Sequence, residues 1–390
     1  MTLRHEGVWV GFDLGGTKML ASVYDSSFEV IGHDRKSTLN SVSPKKNLKR
    51  IVKTIDQALA EAGLDRTAIR GIGIGCPGPV DMTSGVVHEA INLSWRDVPV
   101  GDWLTEKMDC PVLVVNDVDA GVYGEYRFGA ARGSRCVVGI FPGTGIGGGC
   151  IYEGRILRGN RITCMEIGHF PINPGAPARG NNRCHTLEHV SSRLSIAAAS
   201  AQAAYRGHAP HLAEHVGTEV ATIRSGALSA AIDSGDTVIE GIVRESAEWI
   251  GVAAAGLVHL LAPDTIVLGG GLVEAMPDLF LDAVSGSCNK NLLESYRDSY
   301  QVVTADLGDN ASVLGAAAWA ETEIVNNTTR AACPLVVCGE RFFHFHGSAD
   351  WLLIGGEVLA RPLSPQRVVD PPALSPMRSS LNTPAPRPHA

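Results

Sequence analysis

Two glycine-threonine turns carry the clearest chemical signal in this sequence: Asp13-Leu14-Gly15-Gly16-Thr17-Lys18, and later Gly143-Thr144-Gly145-Ile146-Gly147. Between them stands the pair Asn116-Asp117. A turn made of glycines lets backbone N–H groups approach a ligand because no Cβ intervenes, and a threonine hydroxyl adds a side-chain donor. Such hairpins can cradle phosphate oxygens. One Gly-Gly hairpin alone is as often a plain turn; a second at a corresponding place favours a ligand. Neither run is Gly-x-x-x-x-Gly-Lys-Ser/Thr, and neither opens a strand-to-helix dinucleotide turn. Asp117 follows the apolar run Val112 to Val115, which sets a carboxylate at the carboxyl end of a strand. There it can take a proton from a hydroxyl, while Asn116 binds a neighbouring hydroxyl.

The elements that must position these residues can be read from the same pattern. Val8 to Asp13 reads as a strand, Met19 to Tyr24 as a second, and Phe28 to Gly32 as a third after the turn Asp25-Ser26-Ser27. The stretch from Cys136 to Gly159 repeats this plan, with Val10-Gly11 falling on Val138-Gly139 and Tyr24-Asp25 on Tyr152-Glu153 at one constant offset. An internal duplication of a strand–glycine turn–strand–strand unit follows. Asn47 to Ala62 has helical periodicity, Gly71 to Gly75 and Pro111 to Val115 read as buried strands, and helix dominates from Leu187 to Leu261. Strands alternating with helices predict an α/β fold with partly parallel sheets, in two lobes with a ligand cleft between them. The expected divisions are a small N-terminal lobe over 1–118 and a large C-terminal lobe over 119–325. The last helix of the large lobe, near 309–322, is expected to pack back on the small one. Residues 326–390 depart from the duplicated plan, and the Pro-rich stretch from Leu363 to Ala390 is expected to be disordered.

Composition narrows the classes of function. The chain has 390 residues, 45% hydrophobic and 19% charged, and a formal net charge of -8 without a long Lys/Arg run. That balance excludes a basic footprint for nucleic acid. Nine scattered cysteines, several inside apolar runs, fit buried reduced thiols in a cytoplasmic protein better than a disulfide framework. The first residues lack the apolar core of a signal peptide. Trp249 to Val273 is apolar but interrupted by His259, Pro263, Asp264 and Gly269 to Gly271. It therefore reads as a buried helix to Leu261 and a strand from Thr265 to Leu268, not as a membrane span.

Seven ordered pieces resemble a known family. They are Asp13-Leu14-Gly15-Gly16-Thr17-Lys18, Gly75-Cys76-Pro77-Gly78-Pro79-Val80-Asp81, Asn92-Leu93-Ser94-Trp95, Asn116-Asp117-Val118-Asp119-Ala120, Gly143-Thr144-Gly145, Glu166-Ile167-Gly168-His169 and Gly269-Gly270-Gly271. Over roughly Val8 to Ala320 the chain resembles the ROK group (repressors, open reading frames and kinases) of sugar kinases. The resemblance implies a duplicated actin-like (ribonuclease H-like) ATPase fold and an ATP-dependent hexose kinase, with ATP and Mg²⁺ as cofactors. It implies Asp117 as the catalytic base, accepting the proton while the sugar hydroxyl attacks the γ-phosphate in line. Asp13 is implied as the partner of Mg²⁺, directly or through water. Gly15, Gly16, Thr17, Lys18, Thr144 and Gly145 would hold the phosphates, and Gly270 and Gly271 would meet the adenosine. Gly78, Asn92, Asn116, Asp117, Glu166, His169 and Glu188 would bind the sugar, whose hydroxyls each need a partner once buried.

One stretch departs from the family pattern. Many relatives carry a Cys-x-Cys-Gly-x-x-Gly-Cys-x-Glu run that, with the preceding histidine, holds structural zinc. Here the three cysteine positions are Arg179, Asn181 and Thr186, and Cys184 is off-register. Cys184, His185, His189 and His169 offer ligand types without the matching spacing, so no zinc site is expected. Glucose is the expected acceptor because glucokinase is the family's commonest activity; fructose, N-acetylglucosamine and N-acetylmannosamine remain open. The alternative is a non-enzymatic sugar sensor or regulator of the same family. Those carry an added N-terminal DNA-binding domain, and the first turn here begins at Asp13, which argues for the kinase. No nucleic-acid or membrane partner is expected, and relatives suggest a homodimer.

Overall fold

The computed structural model describes residues 7–39, 43–160, 162–173 and 185–332, with two short strand pairs beyond. Two compact units are present, Met1–Ala332 and Cys333–Ala390. In the second unit β16 (Val337–Cys338) pairs with β17 (Arg341–Phe342), and β18 (Leu353–Ile354) with β19 (Glu357–Val358), both antiparallel. The stretch expected to be disordered, 363–390, lies outside the described residues.

The first unit contains every motif discussed above. Its first half runs β1 (Val8–Leu14), β2 (Lys18–Tyr24), β3 (Val30–Ser37), α1 (Pro44–Glu61), β4 (Ile69–Cys76), β5 (Val80–Asp81), β6 (Val86–Ala90), β7 (Trp95–Pro99), α2 (Val100–Met108), β8 (Val112–Asn116) and α3 (Asp117–Arg127). The second half begins with β9 (Cys136–Pro142), β10 (Ile146–Tyr152), β11 (Arg155–Ile156), β12 (Pro171–Asn173), β13 (His185–Thr186), α4 (Leu187–Ser191) and α5 (Arg193–Tyr205). It continues through α6 (Pro210–His215), α7 (Ser225–Asp233), α8 (Thr237–Leu261), β14 (Thr265–Leu268), α9 (Gly271–Ala275), α10 (Pro277–Lys290), β15 (Gln301–Thr304) and α11 (Ala311–Ala332).

The two halves build the same sheet. The strand orders are β3-β2-β1-β4-β8 and β11-β10-β9-β14-β15. In both, the first three strands are antiparallel and the last two join in parallel. This is the duplication expected from the paired glycine turns. The constant offset fails by one residue, however. Tyr24 pairs with Trp9, whereas Tyr152 pairs with Cys136, so the first hairpin turn is one residue longer than the second. Phe28 belongs to the turn before β3, with a left-handed backbone (φ 62°), and not to the strand itself. The last helix, expected near 309–322, is α11 and continues to Ala332.

Period-two alternation explains the odd composition of the central strands. In β4, Ile72, Ile74 and Cys76 are buried on one face, while Gly71, Gly73 and Gly75 share the other. A Cβ on Gly73 would lie 1.9 Å from the Ala316 carbonyl oxygen, and one on Gly11 of β1 would lie 1.9 Å from that of Val313. Helix α11 therefore rests directly on the glycine face of the first sheet. In β9, a Cβ on Gly139 would meet Val122 of α3 at 2.1 Å, so α3 lies on the second sheet. The two helices also touch, with a Cβ on Gly315 falling 1.8 Å from the Ala120 oxygen. A helical layer of α3 and α11 is thus pressed between the two sheets. Outside it, α1 and α2 complete the first core, while α5, α8 and α10 complete the second.

The break between α8 and β14 falls where the sequence placed it. Ala262 takes a left-handed cap (φ 46°) and Pro263 cannot continue the helix. Among the described residues no helix is long and apolar enough to cross a membrane.

Candidate active site

The alternation that packs β1 also aims its carboxylate. Asp13 shares a face with Trp9 and Gly11, so its side chain points toward the α3–α11 layer. Its β4 neighbour in the ladder is Gly75, and a Cβ there would fall 3.3 Å from Asp117 Cα. The bare glycine lets the first turn of α3 settle beside Asp13. Asp117 itself is the first residue of α3, directly after β8. Asn116 caps that helix: its Oδ1 accepts from the N–H groups of Val118 (2.9 Å) and Asp119 (3.1 Å). Its Nδ2 donates to the Gly78 carbonyl at 3.1 Å, tying a second expected sugar-binding residue to the same point. Gly78 is left-handed (φ 82°), and a Cβ there would strike the Glu89 oxygen at 2.0 Å. The helix cap uses Asn116 Oδ1, which leaves one amide N–H for a ligand.

The electrostatics follow from this crowding. Burial pushes the Asp117 carboxyl up to about 7, with a further rise from Asp13 and a smaller one from Glu166, against lowering by the Val118 N–H. Asp13 is raised to about 6 by burial, which outweighs the lowering by Lys18. Two carboxyls that cannot both ionise freely share a site, so their titration belongs to the pair.

The first glycine turn lies next to this pair. Thr38 braces it, donating from Oγ1 to the Gly15 carbonyl (2.7 Å) and from its N–H to the Thr17 carbonyl (2.9 Å). Gly16 faces Asn92, whose Cβ would lie 3.2 Å from an added methyl. Lys18 Nζ donates to Asp309 Oδ2 at 2.6 Å, and Arg35 Nη2 lies 3.5 Å from the same oxygen. That exposed cluster links β2 and β3 to the loop before α11 and holds the Asp309 carboxyl below its ordinary range, chiefly through Lys18.

The second turn gathers the remaining residues. Ile146 N–H, at its far end, donates to Glu188 Oε2 at 3.0 Å. A Cβ on Gly145 would lie 2.4 Å from that oxygen, and one on Gly168 would lie 3.3 Å from it. Glu188 therefore sits between the phosphate-type turn and the Glu166–His169 segment, where Glu166 and His169 are exposed. Gly270 (φ 80°) is packed under the end of β9, with the Pro142 oxygen 2.9 Å from where a Cβ would be. Helix α3 joins the two groups. Val118 presses on Gly147 of β10 and Asp119 on Gly149, each within contact distance of an added methyl.

Residues 9–323 match the model of the ROK family. The chain belongs to the ROK family. A glucokinase from Halalkalibacterium halodurans is 31% identical over 310 residues, covering 79% of this chain and 93% of that protein. A glucokinase from Streptomyces coelicolor is also 31% identical, over 80% of this chain and 96% of its own length. Among solved structures, a ROK family glucokinase from Streptomyces griseus in complex with glucose and AMPPNP superposes with a TM-score of 0.71. It is 31% identical and covers 81% of this chain and 100% of its own. The duplicated sheets of this ROK protein are thus the actin-like ATPase fold.

Several residues of this ROK protein were missed in the sequence. Asp119 is 1% exposed, and both its carboxylate oxygens lack a hydrogen-bond partner among the described residues. Burial, with Asp117 and Glu166 nearby, raises it well above the usual carboxylate range. Asp309 reaches Lys18 from 291 residues away, and Arg193 donates to the Thr144 hydroxyl. Asp119 lies in the Asn116–Ala120 motif but gained no role from it, and Asp309 and Arg193 have no local motif; each is defined by what folding brings beside it. Of the zinc question, positions 179–184 lie outside the described residues. His189 Nδ1 is engaged with Thr186 Oγ1 at 2.8 Å in the cap of α4.

Proposed function

We propose that this ROK protein is a glucokinase-like, ATP-dependent hexose kinase, converting glucose and ATP to glucose 6-phosphate and ADP. The observation that carries the reading is the place of Asp117. It is a half-buried carboxyl raised to about 7, at a strand end, beside a glycine-threonine turn and a second carboxyl. A base of that strength is matched to taking a proton from a hydroxyl near neutral pH. The glucokinases similar to this chain support glucose as the acceptor.

In this reading, Asp117 takes the sugar's hydroxyl proton as that oxygen bonds to the γ-phosphorus. The bond to the β-bridging oxygen breaks, and ADP leaves with its electron pair. Gly15, Gly16, Thr17, Thr144 and Gly145 hold the phosphates by backbone and hydroxyl donors, and Lys18 adds a positive charge. Gly270 and Gly271 line the adenosine side. Gly78, Asn92, Asn116, Glu166, His169 and Glu188 hold the sugar hydroxyls. Asp13 fits Mg²⁺: it is one hard oxygen donor beside the phosphate turn, and this cation is ordinarily held by one or two carboxylates plus substrate phosphates. Bound there, Mg²⁺ would neutralise charge on the phosphate oxygens. The lobes of this kinase would be 1–118 and 119–325, closing on ATP and sugar from either side. A homodimer working in cytoplasmic glycolysis, without nucleic acid or membrane, fits the same reading.

The test is ADP release with MgATP and a panel of glucose, fructose, N-acetylglucosamine and N-acetylmannosamine. Glucose should give the highest kcat/KM. Binding of sugar without turnover of any hexose would overturn the kinase and favour a sugar-responsive regulator.

A further inference from the structure

Arg193 opens α5, directly after the Ser192 cap. Its backbone N–H donates to the Gly143 carbonyl at 2.9 Å, and its Nη2 donates to Thr144 Oγ1 at 3.1 Å. One residue thus grips the second glycine turn at two successive positions. Among the described residues Arg193 makes no ion pair. The first turn of α5 holds no acidic residue either. A cation at the amino end of a helix is repelled by the helix dipole, so this placement is unfavourable until an anion arrives. Among the described residues the side chain makes a single bond, which leaves four of the five N–H donors of the guanidinium unspent.

The bond to Thr144 has a direction. A guanidinium can only donate, so the threonine oxygen must accept, and its own proton is left for another acceptor. Thr144 is exposed, and the protein offers that proton no partner among the described residues. A phosphate oxygen at the turn would accept it and would lie within reach of the guanidinium too.

We propose that Arg193 is a further phosphate-binding residue. It sets the Thr144 hydroxyl as a donor and brings a fixed positive charge to the nucleotide's polyphosphate at the second turn. The inference rests on the kinase reading above for the identity of the anion. Its geometry does not depend on which sugar is the acceptor.

Calorimetric titration of ATP, ADP, AMP and glucose into wild type, Arg193→Ala and Arg193→Lys tests it. Charge-assisted contacts of this kind predict that Arg193→Ala weakens ATP and ADP roughly ten- to a hundredfold. AMP and glucose should stay within about twofold, because neither carries a polyphosphate. Arg193→Lys should recover most of the loss by restoring charge. Unchanged ATP affinity in Arg193→Ala would overturn the proposal. So would an equal loss for AMP and glucose, which would mark Arg193 as a brace of the turn and nothing more. A wild type that turns over no hexose, yet binds ATP in an Arg193-dependent way, would sink the kinase reading and support the phosphate contact.

Discussion

Gly147→Ala should slow the proposed reaction without any change in a residue that touches substrate. Gly147 faces the first turn of α3 from β10. A methyl there would lie 2.5 Å from Val118 Cγ2, 3.4 Å from its Cβ and 3.5 Å from its Cγ1. Apolar carbons rest about 3.5–4.0 Å apart, so strand and helix must separate by about 1 Å. Val118 cannot simply swing aside, since a β-branched side chain in a helix is held near one rotamer. The strain passes to its neighbour Asp117, whose carbonyl is also held by Ser312 Oγ at 2.9 Å. Misplacing a catalytic group by about 1 Å costs about a hundredfold, or about 2.7 kcal/mol of barrier. The assay is kcat for ADP release at saturating sugar and MgATP, with thermal melting alongside to confirm folding. Adding Val118→Ala removes both methyls and leaves Cβ at 3.4 Å as the nearest atom of that residue. The double variant should regain at least about tenfold if the shift of the first turn is the cause. A kcat near wild type in Gly147→Ala, or no recovery in the double variant, would refute the reasoning.

Two further predictions concern protons. With the Asp117 carboxyl raised to about 7, kcat/KM for sugar should rise with pH through neutrality as the base ionises. Asp117→Asn should lower kcat by about 10²–10⁴ and abolish that limb while sugar affinity, read by calorimetry, is kept; a limb that survives would assign it to another group. Asp119 supplies a stability test. Its folded carboxyl holds its proton more tightly than the unfolded one, so its contribution is intact below the unfolded value near 4 and is lost as pH rises toward the raised folded value. Relative to wild type, Asp119→Asn should therefore gain up to about 1.4 kcal/mol per pH unit above that point. Urea melts at pH 5 and pH 8 that show the same difference between the two proteins would contradict the buried, neutral carboxyl.

Local pattern carried much of this protein. Short apolar runs bounded by turn residues marked β1, β4, β8 and β9, and Pro263 with the following polar residue ended α8 where the apolar run alone would have continued. The repeated glycine turns announced a duplicated sheet, because each is a short-range signal bound to the strands on either side. Asn116-Asp117 could likewise be placed at a strand end, since a cap and its helix lie within a few residues. Offsets between halves were less secure: a single extra residue in the first turn shifts the pairing of Tyr24 relative to Tyr152 without altering either strand's pattern.

What the tertiary structure decided is the chemistry of the two turns. Whether Gly71 and Gly73 were loose joints or a seat for a helix depended on α11, more than two hundred residues away, and Gly75 makes room for α3. The strength of Asp117 as a base comes from burial and from Asp13, neither of which is a property of its neighbours in the chain. Glu188 meets Ile146, Asp309 meets Lys18 and Arg193 meets Thr144 only because separate elements converge. Phosphate-type turns can be written locally, since their backbone needs only glycine. Charge, desolvation and aim arise between elements, and so they belong to the fold.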